Sequence, residues 1–401
     1  MATTKVIPEV LDLNESTSES GLKIPTGTVV NRPATDVAGM VRNNTSESST
    51  SSASCEEYYN GTAWQKINNI ALPPEKVFKL LNWTGTAAEQ AVTGFGNQPD
   101  LVIIKNYDTS SNSDPWYWFD STRGATKYIQ SASDAVEGTD AQTLKSFDSD
   151  GFTLGTNDTV NGSGHNTYGI SWRVNGGTTS SNGTGSITST VQANNETGIS
   201  IVKYTGTGNN ETIGHGLSAT PEFIVVKNLS TASAWAVFHT SLGPTKYLAL
   251  NETTAEGTAS NVWNDTAPTS SVFSIGTWGP VNTSTDEHIA YCFTPQSDYS
   301  HFGSYTGSGS QGSPSVTCGF KPDFLIIKRA SGAEQWWTGN SATNSGDHWT
   351  EWMPLQSNER LQSDTVHSIT VTATGFEPYG TSDLVNGSGS TYIYLAFKLT
   401  S

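Results

Sequence analysis

Cysteine is nearly absent: Cys55, Cys292 and Cys318 are the only three in 401 residues, too few and too scattered for a disulfide framework or a four-ligand zinc site. Charge is scarce as well, at 14% of residues, and the bases are outnumbered 20 to 37 by acids. The resulting net charge of −17, with no basic patch to offset it, repels phosphate backbones and argues against nucleic acid as a partner. No apolar run approaches the length that spans a bilayer. Met1-Ala2-Thr3-Thr4-Lys5 is not followed by the apolar stretch of a secretory signal, so the expectation is synthesis in a cytoplasm without membrane insertion. Also missing are the Gly-x-Ser-x-Gly elbow, His-Glu-x-x-His and the Gly-Lys-Ser/Thr phosphate loop.

Gly, Ser, Thr and Asn are abundant, a composition of turn and strand formers that points to an all-β fold. Within it, Pro322-Asp323-Phe324-Leu325-Ile326-Ile327-Lys328 has two earlier counterparts, residues 99–105 and 221–227. Each opens on a proline and an acid, runs through four apolar residues and closes on a lysine. Such a run predicts a buried strand with a lysine at its solvent end.

The repeat extends well beyond the heptad. Before it stand Trp83-Thr84-Gly85, Tyr204-Thr205-Gly206 and Tyr305-Thr306-Gly307; after it come Trp116-Tyr117-Trp118-Phe119, Trp235-Ala236-Val237-Phe238 and Trp336-Trp337. The first two copies share Thr126-Lys127-Tyr128 and Thr245-Lys246-Tyr247, which the third lacks. Near the end of each copy an asparagine (Asn161, Asn282, Asn386) precedes an aromatic (Trp172, Phe293, Phe397) at the same interval. Units of about 100 residues with short strands and Gly/Asn/Ser turns predict three consecutive β-sandwich, jelly-roll-like units, each large enough for its own core. The expected boundaries are residues 73–175, 199–297 and 298–401, with a Gly/Ser/Thr/Asn-rich linker at 176–198. Residues 1–72 are too polar for a core of their own and form an extended stub, ending in a hairpin turned at Asn60-Gly61.

In that stub, Gly-Leu-Lys-Ile-Pro-Thr-Gly-Thr (residues 21–28), Arg32-Pro33, Gly-Met-Val-Arg-Asn-Asn-Thr (39–45) and Tyr-Asn-Gly-Thr-Ala-Trp (59–64) resemble the N-terminal segment of phage tail-fibre and virion proteins. An insertion at residues 46–54 departs from that pattern. Residues 289–293, 302–307 and 319–328 resemble a β-rich module of marine-phage structural proteins. The resemblance implies a non-enzymatic virion protein, tail fibre or adhesin-like, on the virion surface. It implies attachment through residues 1–72 to tail or capsid proteins, a homotrimer, and contact with host-surface polysaccharide. A capsid decoration, cement or head-fibre protein is the alternative, and a polysaccharide-degrading spike a third.

Neither a cofactor nor a metal is expected. The seven histidines do not recur at equivalent repeat positions and read as surface or loop residues. The loop from Asp108 to Asp114 offers oxygens but lacks the glycine and terminal glutamate of a calcium loop. Glu351, Glu359 and Asp364 are the carboxylates a glycosidase would draw on. For contact with sugar or a partner, the aromatic groups Trp116, Tyr117, Trp118, Trp336, Trp337, Trp349 and Trp352 are the candidates, with alternation placing about half of them in the core.

Overall fold

A computed structural model describes residues 77–107, 114–297 and 299–399, together with the backbone of four short strands nearer the N-terminus. The chain divides into two compact units, Met1–Ala71 and Leu72–Ser401. In the first, Thr26–Gly27, Val41–Asn44, Cys55–Tyr59 and Trp64–Lys66 form one sheet in that order. Tyr59 pairs with Trp64 across the last two antiparallel strands, so the hairpin forms; its turn residues lie outside the described ones.

The second unit, the body, is nearly all β, and each repeat contributes a large and a small antiparallel sheet. In the first repeat the large sheet runs Gly138–Thr139, Lys127–Gln130, Tyr117–Asp120, Leu101–Asn106, Asn166–Trp172, Phe78–Thr84. This is a four-strand meander whose closing strand inserts between the heptad strand and the entry strand. The third repeat has the same order: Gln362–Ser363, Glu351–Pro354, Trp336–Asn340, Phe324–Arg329, Thr391–Phe397, Ser300–Thr306. The second repeats it with Gly257–Thr258, Lys246–Ala249, Ala236–His239, Phe223–Asn228, Glu287–Phe293 and Ile199–Thr205, then adds two strands.

Those two strands correct the linker expected at 176–198. Ser180–Asn182 and Ser189–Asn194 form a hairpin that pairs with Ile199–Thr205 and widens the sheet. Composition hid the physical reason, which is that Ile187 and Val191 alternate with polar neighbours and bury in the second repeat's core.

Alternation along the heptad strand explains why the whole run is apolar. Leu101 and Ile103, Phe223 and Val225, and Phe324 and Ile326 all enter one central core shared by the three repeats. Their neighbours Val102 and Ile104, Ile224 and Val226, and Leu325 and Ile327 enter three separate outer cores between each large sheet and its small one. The sheets are therefore buried on both faces, as near-continuous apolar strands require. At the centre the three closing-strand aromatics meet: Trp172 lies 5.9 Å from Phe293 and 5.5 Å from Phe397, and Phe293 lies 6.2 Å from Phe397, centroid to centroid. Equivalent residues converging on one point give the body a pseudo-threefold arrangement.

The recurring motifs are fastenings within each repeat. Trp83 Nε1, Tyr204 OH and Tyr305 OH donate to the carbonyls of Val160, Val281 and Val385. The following residues, Asn161, Asn282 and Asn386, are fully buried, and each Oδ1 accepts a backbone N–H from the entry turn, Thr86, Thr207 or Ser308, at 2.8–2.9 Å. A Cβ on the entry glycines Gly85, Gly206 or Gly307 would stand 2.1, 2.3 or 2.4 Å from a carbonyl oxygen, which is why glycine follows the aromatic each time. The heptad acid caps the chain as it leaves the closing strand: Asp100 accepts from Val174 N, and Asp323 from Leu399 N, both at 2.7 Å.

Candidate functional site

All seven aromatic residues expected at a contact surface are buried, none more than 8% exposed. Trp116, Trp118 and Trp336 point into the central core, Tyr117 into the first outer core, and Trp337, Trp349 and Trp352 into the third. As placed in the body they are core side chains and present no face for sugar. The expectation that alternation would leave half of them outward fails because a second face of each sheet is covered by the other repeats.

The heptad lysines also depart from expectation. Lys105, Lys227 and Lys328 are fully buried, and each ammonium donates to carbonyls of its own repeat and of the next one round. Lys105 Nζ bonds Asp114 O, and Asn358 O of the third repeat at 3.0 Å. Lys227 Nζ bonds Asn228 O at 2.8 Å, Ser233 O at 3.2 Å and Asp134 O of the first repeat at 3.1 Å. Lys328 Nζ bonds Arg329 O at 2.6 Å, and Thr253 O of the second repeat at 3.3 Å. The strand could not leave the lysine in solvent because the neighbouring repeat's loop lies over its end. Burial pushes the amines down, to about 7 for Lys105 and about 8 for Lys227 and Lys328, with nearby acids opposing.

The same direction of reach recurs in the tryptophans. Trp116 Nε1 donates to Pro354 O, Trp235 Nε1 to Ser133 O and Trp336 Nε1 to Ala249 O, each at 3.0 Å. First reaches third, third reaches second and second reaches first, so the contacts close a ring. Between the first two repeats a buried ionic group adds to it: Tyr291 OH donates at 2.8 Å to Asp120, which also holds Arg123.

These loops, once brought together, form a polar depression of about 640 Å³. It is lined by Asn251, Glu252, Thr253 and Thr254 from the second repeat and by Gln335 and residues 356–359 from the third, with Ala132 of the first at its side. The lysine contacts make Asp134, Thr253 and Asn358 equivalent, so Ala132, Asn251 and Gln356 are equivalent as well. Where the second and third repeats carry an amide, the first carries a methyl. Asn251 Oδ1 accepts Trp235 N at 2.9 Å and Gln356 Oε1 accepts Trp336 N at 2.7 Å, which fixes both amide planes. Gln335 Nε2 donates to Glu359 Oε1 at 3.1 Å, and Thr254 Oγ1 to Glu252 Oε2 at 3.1 Å. Of these lining residues only Glu359 was singled out in the sequence; aligning the loops that follow each heptad lysine is the signal that would have found the others.

The three candidate carboxylates have separate settings. Glu359 belongs to the depression, whereas Asp364 accepts from Trp352 Nε1 at 3.1 Å and pairs with His367 at 2.9 Å. Burial raises the Asp364 carboxyl, but its bonds from His367 and Trp352 outweigh that and leave it below its usual range. Burial alone raises Glu351. Residues 108–113 of the acidic loop lie outside the described residues. Among the described residues no group of three or more His, Cys, Asp or Glu is arranged to hold a metal ion. The histidines are not all peripheral: His215, His239 and His288 are fully buried, and burial lowers His239 to about 4.

Neither a curated protein nor a solved structure matches the chain. A family model does, over residues 73–400, the same stretch that forms the three-repeat body. The chain therefore belongs to the family described as Domain of unknown function (DUF7483).

Proposed function

We propose that the chain is a non-enzymatic structural protein of a phage particle, tail-fibre or adhesin-like. In this reading residues 1–72 attach to tail or capsid proteins, and the body projects from the virion surface and contributes to host attachment. The observation that carries the reading is the closed ring of lysine and tryptophan contacts, in which the residues shared by the repeats serve cohesion. A body locked in this way suits a load-bearing projection, and the motifs in residues 21–64 supply the resemblance to particle-attachment segments. Trimerisation, in the same reading, is a property of the N-terminal segment, because the body already surrounds its own central core with three sheets.

The test is competition. Purified protein added to host cells ahead of phage is expected to slow phage adsorption in a concentration-dependent way, and labelled antibody is expected to mark the tail of intact particles. Unchanged adsorption with label over the capsid would replace this reading with capsid decoration.

A further inference from the structure

Gln356 is only 7% exposed, its oxygen accepts Trp336 N, and its amide nitrogen has no hydrogen-bond partner among the described residues where it lines the depression. Asn251 repeats the arrangement from the facing repeat, with its oxygen on Trp235 N. Two amide nitrogens are thus held open as donors. The same depression is lined by two carboxylates that hold neighbours, Glu359 accepting from Gln335 and Glu252 from Thr254, and by Thr253 and Ser357. We propose that this depression binds an uncharged, hydroxyl-rich saccharide.

The chemistry of the lining selects that class. Sugar hydroxyls both donate and accept, and the site offers them carboxylate acceptors and amide donors in fixed orientations, the arrangement in which hydrogen bonds to ionised groups are strongest. Among the described residues no lysine or arginine lines the depression, and its two carboxylates in a chain of net charge −17 disfavour acidic sugars and phosphates. No aromatic ring lines it either, which leaves polar groups rather than stacking to provide recognition. Its volume falls in the range of small-ligand sites. The lining is asymmetric: Ala132 occupies the position of the two amides, so the first repeat contributes no amide donor there.

The inference rests on the reading of the chain as an attachment protein, and two readouts separate them. In the first, the full-length protein is titrated against neutral di- and trisaccharides built from hexoses, 6-deoxyhexoses and N-acetylhexosamines, with sialylated and phosphorylated oligosaccharides as the opposing arm. Saturable binding within the neutral arm is expected, weakened about tenfold by Thr254→Trp, which fills the depression, and by Glu359→Gln, which removes one charge and keeps the bond from Gln335. Both positions are exposed, so an unchanged melting temperature confirms the fold of each variant. Binding confined to the acidic arm, no binding in either arm, or neutral binding that both variants leave unchanged overturns the proposal. In the second readout, Thr254→Trp protein is used in the adsorption competition. Competition as strong as that of the unaltered protein removes this site and leaves the attachment reading standing, whereas absence of competition by the unaltered protein removes the attachment reading, and the titration still decides the site.

Discussion

Trp172 and Phe397 end the closing strands of the first and third repeats, far apart in sequence, and their rings meet edge to face 5.5 Å apart at the centre of the body. Phe293, their counterpart in the second repeat, touches both. Trp172→Ala is therefore expected to destabilise the whole body, not the first repeat alone, by about 3–5 kcal/mol, the usual cost of emptying a large aromatic site in a packed core. Denaturant titration with far-ultraviolet circular dichroism measures it, and a loss under 1 kcal/mol would contradict the shared core.

Lys227→Ala removes the donor from three carbonyls, one of them Asp134 O in the first repeat. Leaving buried acceptors without partners costs about 1–3 kcal/mol each, so a total loss of about 3 kcal/mol is expected. Lys227→Met keeps the aliphatic stem and relieves the amine of its burial penalty, so it recovers part of that loss. Equal stability of the alanine variant and the unaltered protein would place the lysine outside the fastening.

Asn282→Ala removes the bond from Thr207 N and those to Gly276 O and Asn209 O, all within one repeat. About 2–4 kcal/mol of destabilisation is expected. Hydrogen exchange should show faster opening first at the entry turn, residues 206–211, and the idea fails if that turn remains as protected as before.

Stability should rise and then fall with pH. Lys105, Lys227 and Lys328 have folded pKa values of about 7 to 8 against an ordinary 10.5, so above pH 7 the unfolded chain binds more protons and stability rises with pH. Cys292 and Cys318 are pushed up to about 12 and about 11, and buried tyrosines such as Tyr168, Tyr204 and Tyr299 well above 10. These groups stay protonated in the fold while the unfolded chain loses their protons, so stability turns down near about pH 10. On the acid side the neutral buried histidines His215, His239 and His288 have lowered folded values, so stability present above pH 6.5 is lost as pH falls toward about 4. Urea midpoints from pH 4 to 11 give the profile, and a flat response between pH 7 and 9 would contradict the burial of the lysines.

Much of the strand framework was legible in the sequence, because four consecutive apolar residues in each heptad can satisfy only a strand covered on both faces. What covers the second face was not legible. Trp336-Trp337 reads the same whether its second ring meets solvent, a partner or another repeat, and only the folded chain places Trp336 against the second repeat. A lysine after an apolar run ordinarily reaches water, and nothing local to Lys328 announces that Thr253 lies over it. The depression was least legible of all. Asn251 and Gln356 are ordinary polar loop residues whose meaning comes from equivalence between repeats and from the Trp backbone groups they bond.

The three repeats form one cohesive body through a shared core and a closed ring of contacts. Differential scanning calorimetry of the full-length protein, alone and as the Phe397→Ala variant, tests it most directly. One cooperative transition is expected for residues 72–401, shifted as a whole to lower temperature by the substitution. Three separable transitions, of which only the third repeat's moves in Phe397→Ala, would contradict it.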